Sequence, residues 1–145
     1  MKSVIQRVKN ANVRVDDRVV GEIERGLVIY LGIIKGDTLE DVEYLAHKIV
    51  HFRIFPDHEY KMNLSLLDTY REALVISQFT LASDGKKGNR PSFDKAAFPQ
   101  EAQYLYSKFI EKLNFLGIKT FQGVFGAYMQ VFSVNDGPVT FVLET

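Results

Sequence analysis

The chain has 145 residues, 46% of them apolar and 25% charged, with 18 basic side chains balancing 18 acidic ones. That length suits one domain, residues 1–145, and that composition supports a packed core and excludes a disordered chain. A formal net charge of zero excludes a generically basic nucleic-acid binder, although a local basic patch remains open. The absence of cysteine excludes a disulfide framework, a thiolate metal site and a cysteine nucleophile. No stretch approaches the ~20 apolar residues that span a bilayer. Lys2, Arg7, Lys9 and Arg14 interrupt the first segment, unlike a signal peptide, so a reducing, cytoplasmic location is expected.

The first two β runs, SVIQRVKNANVRV and VVGEIE, flank Asp16-Asp17-Arg18 and predict a hairpin. GLVIYLGIIKG, residues 26–36, is apolar throughout and bounded by glycines, the pattern of a buried central strand. Asp37 or Thr38 can cap a helix, with Glu40 as capping-box partner of Asp37. Leu39, Val42, Leu45, Ala46, Ile49 and Val50 give that helix one apolar face. RIFPDHEYKMNLS predicts a short strand, a Pro-Asp turn and a return. EALVISQFTL, residues 72–81, reads as a second buried strand, followed by a loop over roughly 82–98. A second helix starts near Pro99, carries Ala102, Leu105, Tyr106, Phe109, Ile110, Leu113 and Leu116 on one stripe, and stops at Gly117. The remainder predicts strands broken by glycines and by Asn-Asp-Gly-Pro. The fold class is α/β: one β-rich domain with a mainly antiparallel sheet and two main helices.

Chemistry has few places to sit. His47 and His51 are four apart on a helix, a spacing that metal sites use, but no glutamate or cysteine completes a ligand set. His58 falls in a polar turn. There is no P-loop, no G-x-G-x-x-G and no G-x-S-x-G. Two stretches remain. Ser77-Gln78-Phe79-Thr80 ends an apolar strand in amide and hydroxyl groups, and Asn135-Asp136-Gly137-Pro138-Val139-Thr140 lies between β runs. On residue types alone the first is either a strand end capped by polar side chains or a site, and the second is a tight turn.

Taken together, S-Q-F-T near mid-chain and N-D-G-P-V-T-F near the end resemble the D-aminoacyl-tRNA deacylase family, D-tyrosyl-tRNA(Tyr) deacylases among them. The likeness runs through Ile5-Gln6-Arg7-Val8, Arg53-Ile54-Phe55, Lys61-Met62-Asn63-Leu64 and Arg90-Pro91-Ser92-Phe93. The resemblance implies a homodimer with a barrel-like sheet that hydrolyses the ester between a D-amino acid and the 3′ end of tRNA. It implies action also on glycine mischarged on a noncognate tRNA; the sequence itself gives no basis for a metal or other cofactor. It further implies a cis Gly137-Pro138 peptide that enters the partner's site, facing Ser77, Gln78, Phe79 and Thr80. Two alternatives of other classes are a non-catalytic nucleic-acid-binding module on the same fold, and an esterase for D-amino acid esters without tRNA.

Physical reasoning assigns the remaining roles as expectations. The backbone N–H groups around Phe79 and Thr80 are expected to hold an oxyanion. The Thr80 hydroxyl has no base in either motif, which favours positioning over covalent attack. Arg7 either braces the Gly137-Pro138 loop or is an ordinary exposed strand arginine. Phe125 and Met129 either line an adenosine pocket or are core residues. Lys86, Lys87 and Arg90 either meet tRNA phosphates or keep a loop solvated.

Overall fold

The computed structural model describes residues 1–83 and 88–145. Its organising element is the long first strand, β1 (Lys2–Val15). One edge of β1 pairs antiparallel with β3 (Gly26–Gly32) over its first half and with β2 (Arg18–Ile23) over its second. The hairpin turn falls at Asp16 and Asp17, both at positive φ. The other edge of β1 pairs antiparallel with the final strand, β8 (Gln130–Glu144), along most of its length.

Beyond β3 the sheet becomes parallel, through β6 (Glu72–Ser77) to β7 (Thr120–Gln122). A two-stranded ribbon, β4 (Phe55–Pro56) with β5 (Met62–Leu64), stands apart from this sheet. The sheet curls until β2 approaches β7. A Cβ on Gly21 would lie 2.7 Å from the Gln122 carbonyl oxygen, so a residue without a side chain permits this closure. The result is a nearly closed, barrel-like sheet.

Side-chain alternation divides the core in two. Val28, Leu74 and Ile76 join Val8, Ala11, Val13 and Ile23 in one buried cluster. Leu27, Ile29, Leu31, Ala73 and Val75 face the other way, against α1 (Leu39–His51) and α3 (Pro99–Phe115). β3 is buried nearly end to end, but it stops at Gly32, and Lys35 and Gly36 at the end of the expected run 26–36 are exposed.

Three local readings change. The cap of α1 is Thr38, whose N–H donates to Asp41 Oδ2 at 2.8 Å; Glu40 is not the partner. Asp37 instead accepts from the N–H of Ile34 at 2.6 Å. A third, short helix, α2 (Leu66–Thr69), was not expected; Ser65 and Asp68 close a capping box around it, and those hydrogen bonds hold the Asp68 carboxyl below its ordinary range. The strand expected to run to Leu81 stops at Ser77, and a 3-10 turn over Phe79–Ala82 follows. As expected, α3 begins at Pro99 and ends before Gly117, whose φ of +90 is the left-handed stop that glycine permits. Among the described residues no helix is long and apolar enough to cross a membrane.

Candidate functional site

β6 delivers Ser77 and Gln78 to the mouth of a cavity of about 610 Å³. Gln78 leaves the sheet with φ −141 and ψ 76, after its N–H donates to the Leu31 carbonyl at 2.8 Å. The chain then turns into the 3-10 segment. Phe79 lines the cavity too, half-exposed, with its ring edge-on to Phe93 at 4.9 Å. The Thr80 hydroxyl, outside the lining, accepts from Gln78 Nε2 at 2.5 Å.

This switch from strand to turn has a chemical consequence. The first N–H groups of a helical turn have no partner within it. Among the described residues no acceptor meets the N–H of Phe79 or of Thr80. Two donors without an acceptor among the described residues therefore lie at the end of β6, where Phe79 lines the cavity. Among the described residues Thr80 Oγ1 is bonded to a carboxamide and to no imidazole, amine or carboxylate, so it lacks a base.

The cavity wall is apolar. Phe125 and Met129 line it, with Ile33, Ala97 and Ala102. Tyr106 fixes one side by donating its buried hydroxyl to the Val75 carbonyl at 2.8 Å. Burial pushes this phenol well above its ordinary range, so it stays protonated and serves as a strut. Sequence reading placed Tyr106 on the apolar stripe of α3 without a role; its signal was a hydroxyl at an otherwise apolar position.

Gly137 and Pro138 do not line this cavity. They sit on an exposed bulge of β8, and the peptide between them is cis. The pairing explains the bulge. Gln6 faces Thr140 and Val8 faces Asn135, so Arg7 alone opposes Asp136–Val139. What residue types predict as a turn between two strands is thus an interruption within one continuous strand.

Arg7 shares the inward face of β1 with Ser3 and Ile5, and its side chain is 11% exposed. It donates Nε–H to the Asp136 carbonyl at 3.1 Å and Nη1–H to the Ile54 carbonyl at 2.6 Å, with the Asp136 carboxylate 3.4 Å away. Asn135 closes the bulge from within. Its Oδ1 accepts from the Val139 N–H at 2.9 Å and its Nδ2 donates to the Val139 carbonyl at 3.3 Å. Gly137 sits at φ +137, and a Cβ there would fall 2.6 Å from Val139 Cγ2 and 2.9 Å from Val139 N. The partner of Arg7 at Ile54 had no signal in the sequence, because a backbone carbonyl carries none.

Of the basic residues expected near the site, Arg90 is exposed in the segment after the 3-10 turn, while Lys86 and Lys87 lie outside the described residues. His47 and His51 stack at 4.0 Å between ring centroids, and His51 Nδ1–H donates to the His47 carbonyl at 2.8 Å. Among the described residues no group of three or more His, Cys, Asp or Glu is placed to hold a metal ion.

Two backbone donors without an acceptor among the described residues, next to an apolar cavity, suit a hydrolase that stabilises an oxyanion on a bulky acyl ester. A family model described as D-Tyr-tRNA(Tyr) deacylase matches residues 4–144. A D-aminoacyl-tRNA deacylase of Geotalea uraniireducens (strain Rf4) is 57% identical, the match covering 100% of this chain and 94% of that protein. One of Persephonella marina (strain DSM 14350 / EX-H1) is 56% identical, covering 100% and 98%. The solved structure of the c-Myc DNA Unwinding Element Binding Protein superposes with a TM-score of 0.95 at 40% identity, over 100% of this chain and 99% of that one. A probable eukaryotic D-amino acid tRNA deacylase shares the fold, with a TM-score of 0.85 at 17% identity over 98% and 97%. The chain belongs to the D-Tyr-tRNA(Tyr) deacylase family and is a hydrolase.

Replacing Arg7 with Ala should cost about 2 kcal/mol, since hydrogen bonds to a charged donor are lost and carbonyls are left unpaired. Lys at this position should not restore stability, because one ammonium cannot span both carbonyls with the planar fork of Arg. Urea unfolding of both variants checks this; a Lys variant as stable as the parent would contradict the bracing.

Proposed function

We propose that the chain hydrolyses the ester of D-aminoacyl-tRNA, and of glycine mischarged on a noncognate tRNA, to free amino acid and tRNA. In this reading residues 1–145 act as one catalytic domain in the cytoplasm, as a homodimer whose site lies at the interface. Gly137 and Pro138 of a second copy provide the rejection of L-aminoacyl-tRNA. Family membership supports the reaction. The observation that carries the site is the pair of N–H groups at Phe79 and Thr80, which meet no acceptor among the described residues, next to the cavity that Phe79 lines.

An aminoacyl ester is labile, so the protein needs to position more than activate. The terminal adenosine enters the cavity against Phe125 and Met129, which places the ester at Ser77, Gln78, Phe79 and Thr80. Water adds to the ester carbonyl, and the oxygen that gains charge receives the two N–H donors. The carbon–oxygen bond to the ribose then breaks, and the ribose oxygen takes up a proton that the attacking water loses. The neighbouring ribose hydroxyl is well placed to relay that proton. Thr80 holds the geometry through its bond from Gln78.

The chiral filter needs a rigid wall on the open side of this site, and the cavity lining of a single chain takes Val131 from β8 but neither Gly137 nor Pro138. The bulge has the required character: exposed, fixed by Arg7 and Asn135, and made of backbone where a side chain would clash. Carbonyls of such a bulge receive the substrate ammonium, while an L side chain meets the wall. Glycine has no side chain to reject. Exposed Phe132 and Val134, on β8 just before the bulge, give a second copy apolar surface to cover. Arg90 reaches the tRNA phosphates, together with Lys86 and Lys87 beyond the described residues.

Incubation with D-Tyr-tRNA and L-Tyr-tRNA tests the reaction, with fast loss of the D ester and an untouched L ester expected. Release of neither would favour a binding module without catalysis. Thr80→Ala should stay within about tenfold of the parent rate, the worth of one neutral hydrogen bond. Complete loss of activity in the folded variant would contradict positioning and favour covalent attack.

A further inference from the structure

The rim of the cavity is electrostatically lopsided. On one side Tyr128 is shared with a smaller notch of about 200 Å³ lined by Arg14, Asp16, Asp17 and Gln130. Two carboxylates against one guanidinium make that side a poor neighbour for a polyanion. Another part of the wall is formed by Ile33, Ala96, Ala97 and Pro99, and no lining residue of the cavity carries a charge. Here an isolated antiparallel bridge joins Ile34 to Ala96, with Lys35 N–H donating to the Lys95 carbonyl at 2.9 Å and Ala97 N–H to the Ile33 carbonyl at 3.1 Å. The bridge sets Lys35 and Phe98 directly beyond the wall.

Lys35 is exposed, and its ammonium lies 5.3 Å from the centroid of the Phe98 ring. That ring is itself 69% exposed at the cap of α3, with no core role. An exposed cation over an exposed ring is the pairing that holds single-stranded nucleic acid, a charge for phosphate and a face for a base. The carboxylates nearest in sequence are engaged elsewhere. Asp37 accepts from the Met1 amino group at 2.7 Å and the Ile34 N–H at 2.6 Å, and Asp94 accepts from Ser92 Oγ at 2.7 Å.

We infer that the single-stranded 3′ end of the tRNA leaves the cavity over the lip made by Lys35 and Phe98, away from Asp16 and Asp17. This rests on the function proposed above and adds a direction to it. Lys35 contacts a phosphate of the nucleotides that precede the terminal adenosine, and Phe98 offers its free face to one of their bases. Neither residue touches the ester, so both act on the length of RNA that the protein senses and not on the chemistry.

The test uses two substrates with the same acyl group, D-Tyr-tRNA and D-tyrosyl-adenosine, the second lacking every phosphate. Lys35→Ala and Phe98→Ala should each lower kcat/KM severalfold on the tRNA, with the loss confined to it. For Lys35→Ala the slope of log kcat/KM against log salt should also become shallower by about 0.7, the value for one phosphate on a single strand. Equal losses on both substrates would overturn the lip and assign these residues to the shape of the cavity. An unchanged tRNA rate and salt slope would overturn it as well, with the functional reading left standing. Inactivity of the parent on both substrates would overturn the functional reading and the lip together.

Discussion

A guanidinium held on the inner side of a β ladder, where one residue opposes four, is the constraint on which the proposed site depends. Strand pairing normally matches residues one to one, and extra residues must bulge out. Here Arg7 faces Asp136–Val139 and donates to carbonyls on both the bulge and the chain at Ile54. Such a bulge would be mobile if it were tied only at its ends. With Arg7 beneath it and Asn135 bridging its neck, its outer backbone is fixed. The long pairing of β8 with β1 on either side supplies the rigidity, and the bulge spends it on an exposed wall.

The other half of the proposed site depends on a strand that stops. β6 is buried along its length, flanked by β3 and β7, and its side chains feed both halves of the core. Turning immediately after Gln78 frees two backbone donors at a place fixed by that core. The cavity beside them is closed by α3, where Tyr106 ties the helix to the strand through the Val75 carbonyl. Catalysis by position suits this arrangement. Rigid elements hold the donors, and no group that must titrate meets Thr80 among the described residues.

Much of this was legible from residues. The buried strand within 26–36, though it ends at Gly32, the apolar stripes of α1 and α3, the hairpin at Asp16-Asp17 and the stop at Gly117 follow from periodicity and turn chemistry. Local competition set the errors. Asp41 captured the cap of α1 because Asp37 was drawn to the N–H of Ile34. The run from Glu72 to Leu81 looks like one strand by composition, but pairing ends at Ser77, and only tertiary context decides where a sheet runs out. The continuity of β8 through Asn-Asp-Gly-Pro was hidden for the same reason: the residues spell a turn, while the register of β1 on both sides makes a bulge. Arg7 was undecided in sequence since its partners are mostly backbone.

The central claim is that each site is made by two chains, and subunit complementation tests it directly. Phe79→Pro removes one oxyanion donor at a first-turn position that tolerates proline. Gly137→Val deforms the bulge, since even a Cβ there meets Val139 at 2.6 Å. Each variant alone should hydrolyse D-Tyr-tRNA poorly. After subunit exchange half the dimers are mixed, and one of the two sites in each mixed dimer joins an intact Phe79 to an intact Gly137. Activity should then return to about a quarter of the parent's, as two-fold symmetry requires. Mixed dimers that regain nothing would contradict a shared site and place the filter within a single chain.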